Sequence, residues 1–504
     1  MVRSLLTFLF LFITIFAFAQ IRQPTRFEVD IENINQSYNI VSAEENGIYI
    51  FKEQIDKGTA NENAWEVIRL DTALREVSTI ELLIEKKYDF KGYSYDNGKF
   101  VLLFQEGINY AEDLKFIVFD TKDDSYRIYD YKNVVPIILT EFELKNDAII
   151  FGGNVNYRAV ILVYNFTAEK GIVLPGFYTD KSTLLQIVTD TGDQWFRVVT
   201  SERRFNRRYG INIRTYSTRG QLVQTQEFDG TEENSLTNGR IVNLKNGENI
   251  LAGTYSLKKR TELSRGLYLS TIAGEGLPGI RYYNYANLSN FFNYMREKRK
   301  ERVISRIKRK KIKGKNLKFR YRLEVHDIIR QEDQNILIGE AYYPTYTSST
   351  SSGFGYSDSF SNRGMSQVFD GYKYTHAIII GFDNSGNLLW DNSFEINDLK
   401  SFNLEEHIHV AFLPKKIVML YLYDQQLKIK IIQEREILEG KFTETLKLKY
   451  DDDKVQVSND DLAGLENWYG NVFFAFGTNK LKNLKDQDID LNRKVFFINK
   501  IVVE

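Results

Sequence analysis

Short apolar runs separated by turn residues recur along the whole chain. The copies are Asn46-Gly47 with IYIF, Asn97-Gly98 with KFVLLF, Asn146-Asp147 with AIIFGG and Gly192-Asp193 with QWFRVV. They continue as Asn246-Gly247 with ENILAG, Asp333-Gln334 with NILIG, Pro414-Lys415 with KIVMLYLY and Gly470-Asn471 with VFFAFG. Taking Gly192 for the fourth, the turn-to-turn spacings are 51, 49, 46, 54, 87, 81 and 56 residues. Two intervals are long by about 30 residues each, and each contains a segment of different composition. Every period holds four strand-like runs. The second is clearest, reading YDFKGYSY, KFVLLFQ, LKFIVFD and SYRIYDY. Gly and Asn in the intervening turns, as in Thr218-Arg219-Gly220, supply the positive φ of hairpins. Four short strands per repeat of this length predict an all-β fold, a β-propeller of eight four-stranded blades. Seven blades is the alternative count, and two packed β-sandwiches are the competing architecture. The last period offers three strands, the first near Leu465–Tyr469. The segment RFEVDIEN (Arg26–Asn33) has no preceding partners, so it is expected to supply the missing outer strand and close the ring.

The long intervals are read as insertions. The first, residues 286–316, contains NFFNYMREKRKERVISRIKRKKIKGK. Leu288, Phe292, Met295, Val303 and Ile307 fit one helical stripe, interrupted where Arg299 takes an apolar place. The second, residues 343–372, is rich in Ser, Gly and Tyr and predicts a mobile loop. In a meander blade the chain direction alternates. The loop between second and third strands therefore shares a face with the link to the next blade. The basic helix is such a link, from blade five to six, and the Ser/Tyr loop joins the second and third strands of blade six. Both are expected side by side on one face.

Charge sharpens that expectation. Lys+Arg and Asp+Glu are both 67, a formal net charge of zero that argues against a uniformly basic nucleic-acid binder. Yet residues 296–320 carry 14 Lys/Arg against Glu297 and Glu301, a net of +12. Without Arg3, everything else sums to −13. The cations expected to form a partner-binding sector are Arg296, Lys298, Arg299, Arg302, Arg306, Lys308, Arg309 and Lys310 on the insertion. Two second-to-third loops add Arg203, Arg204, Arg207 and Arg208 in blade four, and Lys258, Lys259, Arg260 and Arg265 in blade five. A basic amphipathic helix can bind a partner groove, lie on an anionic surface, or cap its own domain.

At the N-terminus, Arg3 precedes the apolar run Leu5–Ala19, which ends Ala17-Phe18-Ala19. This reads as a signal peptide over residues 1–19, leaving 20–504 as one exported propeller domain without a transmembrane segment. With no cysteine, disulfide frameworks, thiolate zinc sites, Cys nucleophiles and N-terminal lipid modification are excluded.

The stretch IIGFDNSGNLLWDNSFEI, Ile379 to Ile396, resembles blade hairpins of bacterial propellers of the quinoprotein and YVTN kind. Those repeats carry a D-x-x-G turn followed by an apolar strand. The resemblance covers one hairpin well and the other copies loosely. It implies a fold and transfers no catalytic residue.

Candidate chemistry is sparse. Glu405, His407 and His409 alternate on one side of a strand, and His326 holds a comparable place in blade six. First strands line a propeller channel, so these three histidines are the only metal candidates. Asp486, Asp488 and Asp490 resemble the opening of a calcium loop, but Leu491 and Phe497 replace the Gly and Glu that such a loop requires. Asp451–Asp453 with Asp460 and Asp461 read as a solvated acidic loop. No G-x-S-x-G, H-E-x-x-H or Walker A motif is present. The expectation is an exported, non-catalytic propeller without a cofactor, acting as a periplasmic protein-binding subunit docked on an outer-membrane or secretion assembly. Binding of anionic lipid or acidic glycan is the first alternative. A metal-dependent enzyme built on His326, His407 and His409 is the second.

Overall fold

The computed structural model describes residues 21–504 apart from 36–37, 55–56, 108–112, 134, 178, 180, 190–194, 244–248, 258–262, 273–278, 316, 332–333, 349–366 and 486–488. The predicted signal segment, Lys258, Lys259, Arg260, Asp486 and Asp488 therefore lie outside the described residues, as does the middle of the Ser/Tyr insertion. No helix among the described residues is long and apolar enough to cross a membrane.

The chain forms eight antiparallel sheets, one per predicted period. Blade two is the plainest, with strands Tyr88–Asp96, Lys99–Glu106, Leu114–Asp120 and Tyr126–Tyr131 hydrogen-bonded in chain order. Its second strand is buried on both sides, because a propeller blade packs a neighbour on each face. That is why the second strands read as unbroken apolar runs and the fourth strands as polar ones. Eight hydrophobic clusters fill the gaps between successive blades. The cluster joining Trp468, Phe474 and Phe496 of blade eight to Tyr38, Ile40 and Ile48 of blade one shows that the ring is closed.

Closure uses the predicted segment. Arg26–Asp30 pairs antiparallel with the last strand, Asn492–Val503, and Ile21–Arg22 extends the same edge. Arg26 lies over the Phe497 ring and donates to Glu28 at 2.6 Å and to Asn499 at 2.7 Å. Arg493 bridges Glu28 to Asp453. Asp453 is thus a buried ion-pair partner, not part of a solvated acidic loop, because the strand Asp453–Ser458 extends the inner edge of blade eight.

Blade six carries both insertions and departs from expectation in each. Its second and third strands, Gln334–Ser348 and Gln367–Asp383, run far into the segment read as a loop. Aromatic residues explain the difference: Tyr342, Tyr346, Phe369 and Tyr372 pack edge to face along the projecting hairpin. The D-x-x-G turn forms as the resemblance implied. Asp383 Oδ1 accepts the N–H groups of Ser385 and Asn387, and Gly386 has φ 74°. Across the hairpin, Trp390 presses on Gly381, where a Cβ would come within 2.2 Å of the indole nitrogen.

The basic insertion is not one helix. Two 3-10 turns, Tyr285–Asn287 and Phe291–Tyr294, precede an α-helix over Glu297–Ile312. Tertiary contacts hold the first part in that shape. Asp391 accepts the N–H groups of Ser289 and Asn290, and Ser393 accepts that of Tyr294. Phe291 and Phe292 are buried between blades five and six.

Candidate functional site

Strand alternation divides the ring into two faces. One carries the turns between first and second and between third and fourth strands. Most are tight, such as Asn97-Gly98, Asn146-Asp147 and Pro414-Lys415. The other, the loop face, carries the second-to-third loops and all inter-blade links, including both insertions. Exposed large apolar side chains sort by the same division. Along the outer strands they are ordinary edge residues. Away from those strands they sit at the loop face: Phe205 at 106% exposure, Ile312 at 86%, Tyr157 at 80%, Leu484 at 66% and Phe402 at 59%. Among the described residues, Trp195 alone sits near the turn face.

The helix is held on this face by a narrow stripe. Val303 and Ile307 pack against the cluster that contains Phe292 and Leu323. The Tyr294 ring stacks on His376 of the blade-six hairpin, with centroids 3.6 Å apart and planes 3° apart. The first insertion therefore packs on the blade-six hairpin just beyond the second insertion. Ser264 in the blade-five loop pairs with Tyr321, five residues past the insertion, just before the first strand of blade six. Arg296, Lys298, Arg299, Arg302, Arg306, Lys308, Arg309 and Lys310 are all exposed. Within the helix Lys300 pairs with Glu297 at 3.6 Å. A cavity of about 560 Å³ lies between Arg306, Lys310, Lys315, Leu317 and Lys318.

The other predicted cations divide. Arg204 is drawn into the scaffold, donating to Asp229 and Asn212 at 2.6 Å each, with Glu202 and Glu227 nearby. Arg208 donates to the Thr231 carbonyl at 3.1 Å. Arg265 is buried, and burial lowers its pKa. Arg203 is half-buried, and Arg207 stands exposed at a φ of 63° beside Phe205. The described part of the cationic sector is thus the helix with Arg207.

The channel side is acidic. Arg240 in the first strand of blade five is its main cation, near Asp327 at 3.6 Å and Glu141 at 3.9 Å. It also donates to the Leu185 and Val325 carbonyls, tying blades four, five and six together. Burial pushes the Glu141 carboxyl up to about 7 against the pull of Arg240. Burial does the same to Glu143, up to about 7, despite a 3.0 Å hydrogen bond from Ser94. Burial, reinforced by Glu405, pushes Glu466 up to about 7.

The histidines do not converge. His326 Nε2 lies 3.1 Å from Glu340 Oε1, which also accepts the N–H groups of His407 and Ile408. Burial alone would raise Glu340, but the His326 bond and charge outweigh it and hold the carboxyl below its usual range. Burial alone would lower His326, but the bond to Glu340 and its charge, with Glu406 and Glu324, raise it. His407 and His409 face a different space, a cavity of about 940 Å³. Burial lowers both, His409 to about 4. Among the described residues no three His, Asp or Glu side chains gather as a metal site.

Sequence reasoning missed Glu141, Glu143, Arg240, Glu324, Glu340 and Glu466. A signal was present in the first strands: Glu141 and Glu143, or Glu324 and His326, alternate with apolar residues and so share one side. It also missed Tyr157 and Phe205, each a bulky aromatic at a turn position.

No protein-family model matches the chain, and no curated protein matches it. Solved structures similar to it include the β-propeller domain of the Trilobed protease from Pyrococcus furiosus. There the identity is 7%, the match covers 82% of this chain and 93% of that one, and the TM-score is 0.34. A prolyl endopeptidase shares 9% identity over 82% of this chain and 50% of its own, with a TM-score of 0.39. The polysaccharide lyase Uly1 shares 8% identity over 83% and 92%, with a TM-score of 0.40. The chain is a β-propeller of eight blades.

Proposed function

We propose that this propeller is an exported, non-catalytic scaffold that binds another protein through its loop face. One observation carries the reading. The exposed aromatic and aliphatic tips Tyr157, Phe205, Ile312 and Phe402 share a face with the exposed cations of the helix. Large apolar anchors ringed by charge are the composition of a protein-binding surface. Loops on a rigid ring are where such a surface is built. The apolar run before Gln20 supports a periplasmic setting; the partner we propose there is an outer-membrane or secretion assembly.

The test is a pull-down of tagged protein from detergent-solubilised envelope, read by mass spectrometry. Removing residues 286–316 would take Phe291 and Phe292 out of the core, so substitutions are the cleaner probe. Phe205→Ser and the charge reversal Arg302→Glu/Arg306→Glu/Lys310→Glu should each deplete a stoichiometric partner. No partner in any sample would overturn the reading. The exposed cations of the helix also favour a second reading, binding to anionic lipid. That mode requires flotation with phosphatidylglycerol vesicles that collapses as ionic strength rises.

A further inference from the structure

The basic insertion encloses a cleft of its own. Residues 302–320 carry ten Lys/Arg and no Asp or Glu. Four of these, Arg306, Lys310, Lys315 and Lys318, line the cavity of about 560 Å³ together with Leu317. All four are exposed, and among the described residues none is paired with a carboxylate. The ion pair of Lys300 with Glu297 lies at the opposite end of the helix. Like charges one helical turn apart, as Arg306 and Lys310 are, repel rather than stabilise a helix. The helix macrodipole accounts for part of the cluster, because its C-terminal end carries roughly half a negative charge. That partial charge does not balance four cations.

The cleft is held in shape by the fold. The helix Glu297–Ile312 ends in a reversal at Gly314, φ 64°, where the Lys315 N–H donates to the Lys310 carbonyl at 3.0 Å. The chain then returns beside the helix. On one wall Val303 and Ile307 pack on the cluster between blades five and six. On the other Phe319 packs on the same cluster, its ring centroid 4.8 Å from that of Phe292. Arg306 adjoins Ile307, and Lys318 adjoins Phe319. Each wall therefore sets a cation next to a residue anchored on the core. Lys311 and Lys313 belong to the same helix end and are exposed, yet they do not line the cavity.

We infer that this cleft binds a ligand carrying clustered phosphate monoester groups. Charge arithmetic selects that class. A phosphate monoester carries about 1.5 to 2 negative charges, so two such groups match four cations. Carboxylates carry one charge each, and a ligand would need four of them in the same space. Arg306 supplies a planar fork suited to two phosphate oxygens, and the three lysines supply point charges that turn to meet the rest. The volume of about 560 Å³ lies within the range of about 300–1,000 Å³ typical of small-ligand sites. The phosphates can belong to a lipid headgroup or to a free polyphosphate. In the first case the inference rests on the anionic-lipid reading above. In neither case does it need the protein partner.

The experiment is isothermal titration of the full mature chain with inositol 1,4,5-trisphosphate, and with butane-1,2,3,4-tetracarboxylate as the polycarboxylate control. The trisphosphate should bind at a single site, and the tetracarboxylate about tenfold more weakly or not at all. Lys315→Ala/Lys318→Ala should weaken the trisphosphate about tenfold or more. Lys311→Ala/Lys313→Ala removes the same charge at the same helix end and should leave the affinity within about threefold. All four lysines are exposed, so neither variant threatens the fold. Flotation with vesicles carrying phosphatidylinositol 4,5-bisphosphate identifies the source. Flotation lost in Lys315→Ala/Lys318→Ala assigns a lipid headgroup. Trisphosphate binding with no flotation, or with flotation unchanged by that variant, assigns a free polyphosphate. No trisphosphate binding, equal affinity for the tetracarboxylate, or equal losses in the two lysine variants would overturn the inference. Flotation with phosphatidylglycerol that persists in Lys315→Ala/Lys318→Ala would then leave the lipid reading standing, as diffuse attraction to the helix.

Discussion

Two hairpin turns of the same geometry sit on opposite faces of the ring. Asn97-Gly98, on the turn face, has φ values of 48° and 80°; Asn156-Tyr157, on the loop face, has 50° and 66°. Two successive positive φ angles in a two-residue turn favour Asn-Gly, because a Cβ in that region costs roughly 1–2 kcal/mol. The first turn uses the preferred pair. The loop face instead places a tyrosine, 80% exposed, in a conformation that suits it poorly. At 80% exposure its side chain buries little surface that would offset the strain, although its carbonyl accepts the Ser182 N–H at 2.9 Å. A residue that is wrong for the scaffold and exposed to solvent marks a selection other than stability. Of this pair, Asn97-Gly98 is built for folding and Asn156-Tyr157 is not, although Leu74, Glu169, Lys415 and Glu434 also take positive φ in turns of the turn face.

The largest effect expected from this division lies in the scaffold, at ring closure. Arg26 and Glu28 have side chains only 3% and 2% exposed, and Glu28 also holds Arg493. Glu28→Ala leaves a buried guanidinium without its carboxylate, which costs about 3–5 kcal/mol. Denaturant unfolding should show that loss, while partner capture at low temperature by the fraction still folded stays intact. A variant that keeps its stability but loses capture would break the division between scaffold and contact face.

The second effect lies in the cavity on the loop face and has a defined pH window. Glu466 is raised from 4.5 to about 7 in the folded chain. The folded protein therefore holds this proton up to a higher pH than the unfolded chain does. Its contribution to stability is full below about 4.5, falls as pH rises toward 7, and is lost above that. Glu466→Gln removes the ionisable group and should stabilise the protein by about 2 kcal/mol at pH 8, with no change at pH 4. Buried His409, lowered to about 4, acts in the opposite sense, losing stability as pH falls from 6.5 toward 4. Thermal unfolding of wild type and variant at both pH values cancels that common term.

Much of this scaffold was legible before any coordinates. Turn signals such as Asn97-Gly98 and Pro414-Lys415 counted the blades, and RFEVDIEN announced the closing strand, because both depend on local pattern. Most of the errors involve partners distant in sequence; the blade-six hairpin, held by its own Tyr342, Tyr346, Phe369 and Tyr372, is the exception. Residues 288–295 carry an apolar spacing that suits a helix, yet Asp391 and Ser393, about a hundred positions away, hold them in 3-10 turns. Arg204 and Asp453 look like surface charges until Asp229 and Arg493 are brought beside them. Glu466 gives no local hint of its burial, since an isolated charge in an inner strand reads the same whether it faces a channel or solvent.

The smallest effect separates the two turns directly. Gly98→Tyr places a Cβ at φ 80° on the turn face, and Thr121 Oγ1 already lies 3.4 Å from where that Cβ would stand. The loss should be about 1–2 kcal/mol. The reciprocal change, Tyr157→Gly, relieves the same strain on the loop face but gives the unfolded chain more freedom. The two terms partly cancel, so a gain of about 0.5 kcal/mol is expected by denaturant midpoint. Partner capture should fall in Tyr157→Gly and stay unchanged in Gly98→Tyr. If the tyrosine were an accident of drift, Tyr157→Gly would be the better protein in both assays. Only a stabilised variant that binds less well identifies Tyr157 as a contact retained at the expense of its own turn.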